Sequence, residues 1–175
     1  MRRAVPGRLA AELAGPPRVL TLREWAEVTG GLRHVELTLF GRLGRLAVAA
    51  PLPSLAGWAM GASLMAAWRA EQLEVLLPVS TGLPDRGSVT RPRSPEVASA
   101  LDRLVSLGAV ALAREVSERW FPALLRAYET RSAHCFEPAD APFGAVLARL
   151  AADVADASRR ASDLLVRDDA TREDP

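Results

Sequence analysis

The stretch that most constrains this chain is Gly57 to Leu77, GWAMGASLMAAWRAEQLEVLL. At about 100° per residue, one face of this helix carries the residues Leu55, Ala59, Ala62, Ala66, Arg69 and Leu73. That face is apolar and small-sided apart from Arg69. A guanidinium on a core face needs a partner, because burying an unpaired charge is costly. The stretch therefore predicts a core helix and a buried carboxylate elsewhere in the chain.

The carboxylate is predicted on the preceding helix. Thr21 and Glu24 form the Thr-x-x-Glu pattern of a capping box, so we expect a first helix from about Leu22 to Ala50, bent or interrupted at Gly30 and Gly31. One stripe of this helix consists of Leu32, Val35, Glu36, Leu39, Leu43, Leu46 and Ala50. Arginine holds a carboxylate through two parallel hydrogen bonds. The pattern predicts a Glu36–Arg69 pair, which is either a structural ion pair or a holder for the acidic group of a small ligand.

Proline and glycine divide the chain into four long helices. A short connection at residues 51–54 leads into the second helix, with Ser54 as its N-cap. About eighteen residues rich in Pro, Gly and Ser follow, from Pro78 to Pro95, which is far longer than a tight turn. We expect a third helix from Ser94–Pro95 to about Ala133, kinked at Pro122, with Val105 on its core stripe.

The fourth helix is predicted from Asp140 to about Val166. The short–long–short order of the links gives a fold class: all-α, a ferritin-like four-helix bundle with one long crossover between helices two and three. The predicted organisation is an N-terminal arm or short surface helix over residues 1–20, the bundle over 21–166, and a disordered charged tail over 167–175.

The composition of the chain limits the classes of partner that it is expected to bind. The 175 residues are 49% hydrophobic and 25% charged, with a net charge of +1, so we expect one globular domain that binds neither nucleic acid nor a membrane. Residues 46–68 carry no charge, but Pro51 and Pro53 split them into a helical hairpin. The single Cys135 excludes an internal disulfide and is typical of a reducing compartment, so a cytoplasmic location is expected.

Several segments resemble a known group. GLRHVELTLFGRLG, AAWRAEQLEVLLP, RWFPALLRAYE and the last helix, which carries Asp153 and Asp156, are similar to ferritin-like proteins of GC-rich, actinobacterial-type bacteria, over about Thr21 to Leu165. Ferritin-like oxidases and hydroxylases hold two metals with carboxylates and Glu-x-x-His pairs. The resemblance implies histidines where this chain has Ala66 and Arg69.

The metal ligands of that pattern are missing here. Glu36 is at a ligand-like position, but Ala66 and Arg69 occupy the second helix and Val154 stands where a carboxylate is expected on the fourth. Asp153 and Asp156 flank Val154 and are predicted at the surface. We therefore expect no cofactor, with iron or manganese as the less favoured alternative.

The predicted function is that of a small-molecule-binding or accessory protein with a degenerate site, acting as a homodimer with a small acidic ligand or a protein partner. Two alternatives stay open: an enzyme that tailors a small metabolite in the bundle pocket, and a degenerate diiron hydroxylase or oxidase. Candidate pocket-lining residues are Ala62, Ala66, Trp120, Tyr128, Val154 and Ser158.

Overall fold

The computed structural model describes residues 6–135 and 140–172, with side chains described for 7–135 and 140–165. Across these residues the chain is all-helical and contains no β-strand, as predicted. The elements are α1 (Pro6–Ala14), α2 (Leu22–Ala49), α3 (Pro53–Val75), α4 (Arg86–Val89), α5 (Pro95–Arg103), α6 (Ala109–Glu115), a π-helical turn (Val116–Trp120), α7 (Phe121–Ser132) and α8 (Ala141–Arg172).

The α2–α3 hairpin follows the sequence pattern closely. Thr21 and Glu24 form both hydrogen bonds of the capping box at the start of α2, which confirms that prediction. The prediction of Ser54 as the N-cap of α3 was wrong, because α3 begins at Pro53 and Leu52 takes the cap position without a side-chain hydrogen bond. Proline suits the first helical position, where its φ angle is already helical and no N–H is needed.

Gly30 and Gly31 do not interrupt α2, which is continuous through both. They serve instead to let the long link approach the helix. A Cβ on Gly30 would lie 2.3 Å from the carbonyl oxygen of Val89, a separation that no side chain tolerates. The link is also tied to the hairpin by Arg33, which donates to Thr90 Oγ1 at 3.1 Å and to Glu74 Oε2 at 2.8 Å.

The predicted third helix is broken, which corrects the single helix expected to end near Ala133. Ser94 caps α5 as predicted, but α5 ends at Arg103 and α6 begins after Gly108. The Ser106 hydroxyl donates to the Arg103 carbonyl at 3.1 Å, a local bond that competes with continuation of the helix. Val105, expected on the core stripe, is 57% exposed.

A π-helical turn lies directly before Pro122, where the sequence predicts a kink. The turn ends at Trp120, and Pro122 then lies in the first turn of α7. The proline therefore directly follows the change from π-helical to α-helical hydrogen bonding.

The N-terminal segment contributes to the core. Residues 1–5 lie outside the described part, but α1 packs on α7 and buries Leu9 and Leu13, so the segment is more than a surface arm. Gly15, with φ at +72°, ends α1. Arg131 of α7 then donates to the carbonyls of Pro16 and Arg18, at 2.7 and 3.2 Å, which holds the connection to α2 in place.

The last helix is longer than predicted. It continues to Arg172, so residues 167–172, assigned above to a disordered tail, are helical, and 173–175 lie outside the described residues. It packs along α7 and also against α3. In the described chain, none of the helices has both the length and the unbroken apolar character needed to cross a bilayer.

A comparison of two caps tests these helix boundaries. Thr21→Ala removes a side-chain cap and should lower the free energy of unfolding by about 1 kcal/mol. Ser54→Ala removes no cap and should change it by less than about 0.5 kcal/mol. Urea denaturation of both variants measures the difference; equal losses would mean that α3 begins at Ser54 after all.

Candidate functional site

The centre of the molecule is an ion pair between α2 and α3. Arg69 Nε donates to Glu36 Oε1 at 2.8 Å, and Arg69 Nη2 donates to Glu36 Oε2 at 2.9 Å. Both side chains are completely buried. The contact is thus bidentate, the geometry that gives an arginine–carboxylate pair its greatest strength.

Tyr128 of α7 completes this centre. Its hydroxyl donates to Glu36 Oε1 at 2.7 Å, so one carboxylate accepts hydrogen bonds from two other helices. Burial, and then the negative charge of Glu36, raise the pKa of Tyr128 well above its ordinary value. Burial alone would lower the pKa of Arg69, but attraction to Glu36 raises it overall. At neutral pH the centre therefore holds a guanidinium and a neutral phenol.

Small residues on α3 make room for the guanidinium. Long side chains on a helix lean toward its N-terminus and cover the preceding turns, so Arg69 extends over the face that carries Ala66 and Ala62. Both alanines are buried, and larger side chains there would compete with the guanidinium for the same space. The alanine-rich stripe of the sequence is thus the local reason that a buried arginine fits.

Asp153 of α8 lies near this centre, which corrects its predicted place at the surface. The residue is half-buried, its Oδ2 atom is shielded from solvent without a hydrogen-bond partner, and its charge helps to raise the pKa of Arg69. Arg69 Nη1 is likewise buried and unpartnered. With Glu36, the group comprises one guanidinium and two carboxylates, a formal excess of one negative charge.

A cleft of about 480 Å³ opens between α3 and α8 beside Asp153. Its α3 wall is uncharged and its α8 wall carries three charged side chains; it is lined by Gly57, Trp58, Gly61, Ala62, Leu64, Met65, Asp153, Asp156, Ala157 and Arg160. Asp156 is already paired with Arg159 and Arg160. Asp153 is therefore the acidic side chain of this cleft that has an unused acceptor.

The predicted pocket residues fall into two groups. Ala62 lines the cleft. Ala66, Trp120, Tyr128 and Val154 are fully buried and do not line it, and Ser158 is half-buried on α8. Neither Glu36 nor Arg69 lines this cleft.

The residues at the centre do not fit a two-metal site. Both oxygens of Glu36 accept hydrogen bonds, and Val154 and Ala66 offer no ligand atoms. Among the described side chains, no group of three or more His, Cys, Asp or Glu residues could hold a metal ion.

A second, smaller cleft of about 150 Å³ is lined in part by His134 and Cys135. The two side chains bond to the backbone separately: His134 Nδ1 lies 2.7 Å from the Thr130 carbonyl oxygen, and Cys135 Sγ donates to the Arg131 carbonyl oxygen at 3.3 Å. Burial raises the pKa of the Cys135 thiol, which disfavours the thiolate that a nucleophile requires.

No protein-family model, curated protein or solved structure matches this chain. Its own geometry defines the class: an all-helical protein with a buried ion pair at its centre and a cleft alongside.

The only tyrosine of the chain gives a direct test of the centre. Because Tyr128 has a raised pKa when folded, its contribution to stability is complete below the unfolded value of about 10 and is lost as pH rises toward the folded value. We expect the near-ultraviolet absorbance of phenolate to appear only together with the loss of helical circular dichroism. Phenolate near pH 10 in a chain that is still helical would mean that the phenol is accessible.

Proposed function

We propose that this chain is a ferritin-like helical bundle that works as a small-molecule-binding protein, with its ligand in the cleft between α3 and α8. The α2–α3 hairpin, the long link and the packing of α7 along α8 support the ferritin-like relationship. The segments similar to ferritin-like proteins, described above, supply Glu36, Arg69 and Tyr128 at the centre and the α8 wall of the cleft.

The ligand we propose is a compact molecule with an apolar body and one protonated amine. A volume of about 480 Å³ is within the usual range of small-molecule sites. Trp58, Leu64 and Met65 offer an apolar wall for the body of the ligand. An ionised carboxylate accepts hydrogen bonds and donates none, so Asp153 requires a donor from the ligand.

The observation that carries this proposal is Asp153, which lines the cleft and whose Oδ2 atom is shielded from water and has no hydrogen-bond partner. A shielded carboxylate oxygen without a partner is costly. The excess negative charge of Glu36, Arg69 and Asp153 favours a cation over a neutral donor. An ammonium group in the cleft would satisfy this oxygen once the Asp153 side chain turns toward it, and would balance the charge.

The Glu36–Arg69 pair is structural in this proposal. Arg69 is fully buried and uses two of its three nitrogens on Glu36, so the pair supports the cleft from behind. A second candidate is a small acidic ligand on Arg69, which is favoured by the unpartnered Nη1 atom.

Two probes that share an apolar ring distinguish these ligands: benzylamine carries a cation and benzoate an anion. At about ten times its Kd, a ligand stabilises the folded chain by about 1.4 kcal/mol, which raises the Tm by about 3–6 °C at this chain length. We expect this rise with benzylamine and none with benzoate, measured by thermal unfolding.

Two variants of the same cleft provide the controls. Asp153→Asn should abolish the rise with benzylamine. Asp156→Asn removes a carboxylate from the same wall, but one that is already paired with arginines, and should keep the rise. If Asp153→Asn responds like the unmodified chain, the anchor is misassigned; if benzoate alone raises the Tm, the acidic ligand on Arg69 replaces our proposal.

A further inference from the structure

The α2–α3 hairpin exposes an apolar face, which we call the outer face. It consists of Leu37, Phe40 and Val48 on α2 and Met60 and Leu64 on α3. These five residues are 38–86% exposed. Residues 53–68 of α3 contain no charged side chain, so no charge interrupts the α3 part of the face.

Three glycines of this surface touch no other part of the described chain. A Cβ added to Gly41, Gly57 or Gly61 would meet nothing within 4 Å. Glycine in the middle of a helix costs stability relative to alanine, and here no neighbouring element requires its small size. Gly57 and Gly61 are four residues apart and share one side of α3, where another helix could approach the backbone closely.

The area of the outer face fits an interface. Side chains of this size, partly exposed, present roughly 500–600 Å² in total, which is at the upper limit for the largest apolar patch of a monomer. The exposed glycine backbone adds to this area. A standard interface buries about 800 Å² on each partner. The face is therefore large enough for a second protein chain.

We propose that a second copy of this chain covers the outer face, with α3 crossing its counterpart over Gly57 and Gly61 about a two-fold axis. In such an interface each patch meets itself, so a charged patch would oppose its own charge. The charge-free α3 segment avoids this repulsion and suits a partner identical to itself.

The second copy would also border the proposed ligand cleft. Gly57, Gly61 and Leu64 belong both to this interface and to the rim of the cleft, so the partner would narrow its opening. The interface itself depends on the apolar surface and the glycines alone, and it is tested without any ligand.

Sedimentation equilibrium of the full chain tests the proposal by measuring the mass of the particle in solution. At roughly 100 µM, where an interface with a micromolar Kd is saturated, we expect twice the chain mass of 18.8 kDa. Leu64→Glu should give the monomer mass with unchanged helical circular dichroism, because Leu64 is exposed in the single chain. Val105→Glu makes the same change at an exposed position outside the outer face, and should leave the dimer intact.

The Gly61→Ala variant distinguishes a surface that binds a second chain from one that binds nothing. The variant should weaken dimerisation at least tenfold while raising the Tm of the dilute monomer, because alanine favours the helix. A chain that stays monomeric at the highest concentration measured overturns the proposal. A monomer that binds phospholipid vesicles overturns it too, because a membrane would then cover the outer face. A dimer unaffected by Leu64→Glu, or by Gly61→Ala, overturns the assignment to this face.

Discussion

The buried contact between Arg69 and Glu36 is the constraint on which the rest of this structure depends. Removing both charges from water costs several kcal/mol per ion, and only close, multiple hydrogen bonds offset that cost. The bidentate contact and the hydroxyl of Tyr128 supply them. Because these three residues lie on α2, α3 and α7, a slide of any of the three helices by one turn would break the contact. The centre therefore determines which of these helices pack together and also the register in which they pack.

Local signals explain what could be predicted from the sequence. The capping box at Thr21 and the apolar stripes identified α2, α3 and the facing positions of Glu36 and Arg69, because periodicity and capping act within a few residues. The break after Arg103 and the π-helical turn depend on competing hydrogen bonds and packing, which the apolar stripe does not reveal. Asp153 was misplaced because the apolar stripe locates the buried Val154 but does not show that the residue before it is half-buried as well.

In our proposal the centre stabilises the fold and the cleft binds the ligand. Both oxygens of Glu36 are used by Arg69 and Tyr128, whereas Asp153, a residue of the cleft wall, has an unused acceptor. The charge of Asp153 links the two, since it acts on Arg69 as well as on the cleft. In this proposal the molecule keeps a polar centre for stability and binds its ligand beside it.

A double-mutant cycle in chemical denaturation tests the central claim most directly. Arg69→Met leaves Glu36 buried without its cation and should lower the free energy of unfolding by roughly 3–5 kcal/mol. Arg69→Met combined with Glu36→Leu removes both charges and should recover much of that loss, so the two effects are strongly non-additive. If Arg69→Met leaves stability unchanged, or if the two losses simply add, the pair does not hold the bundle together.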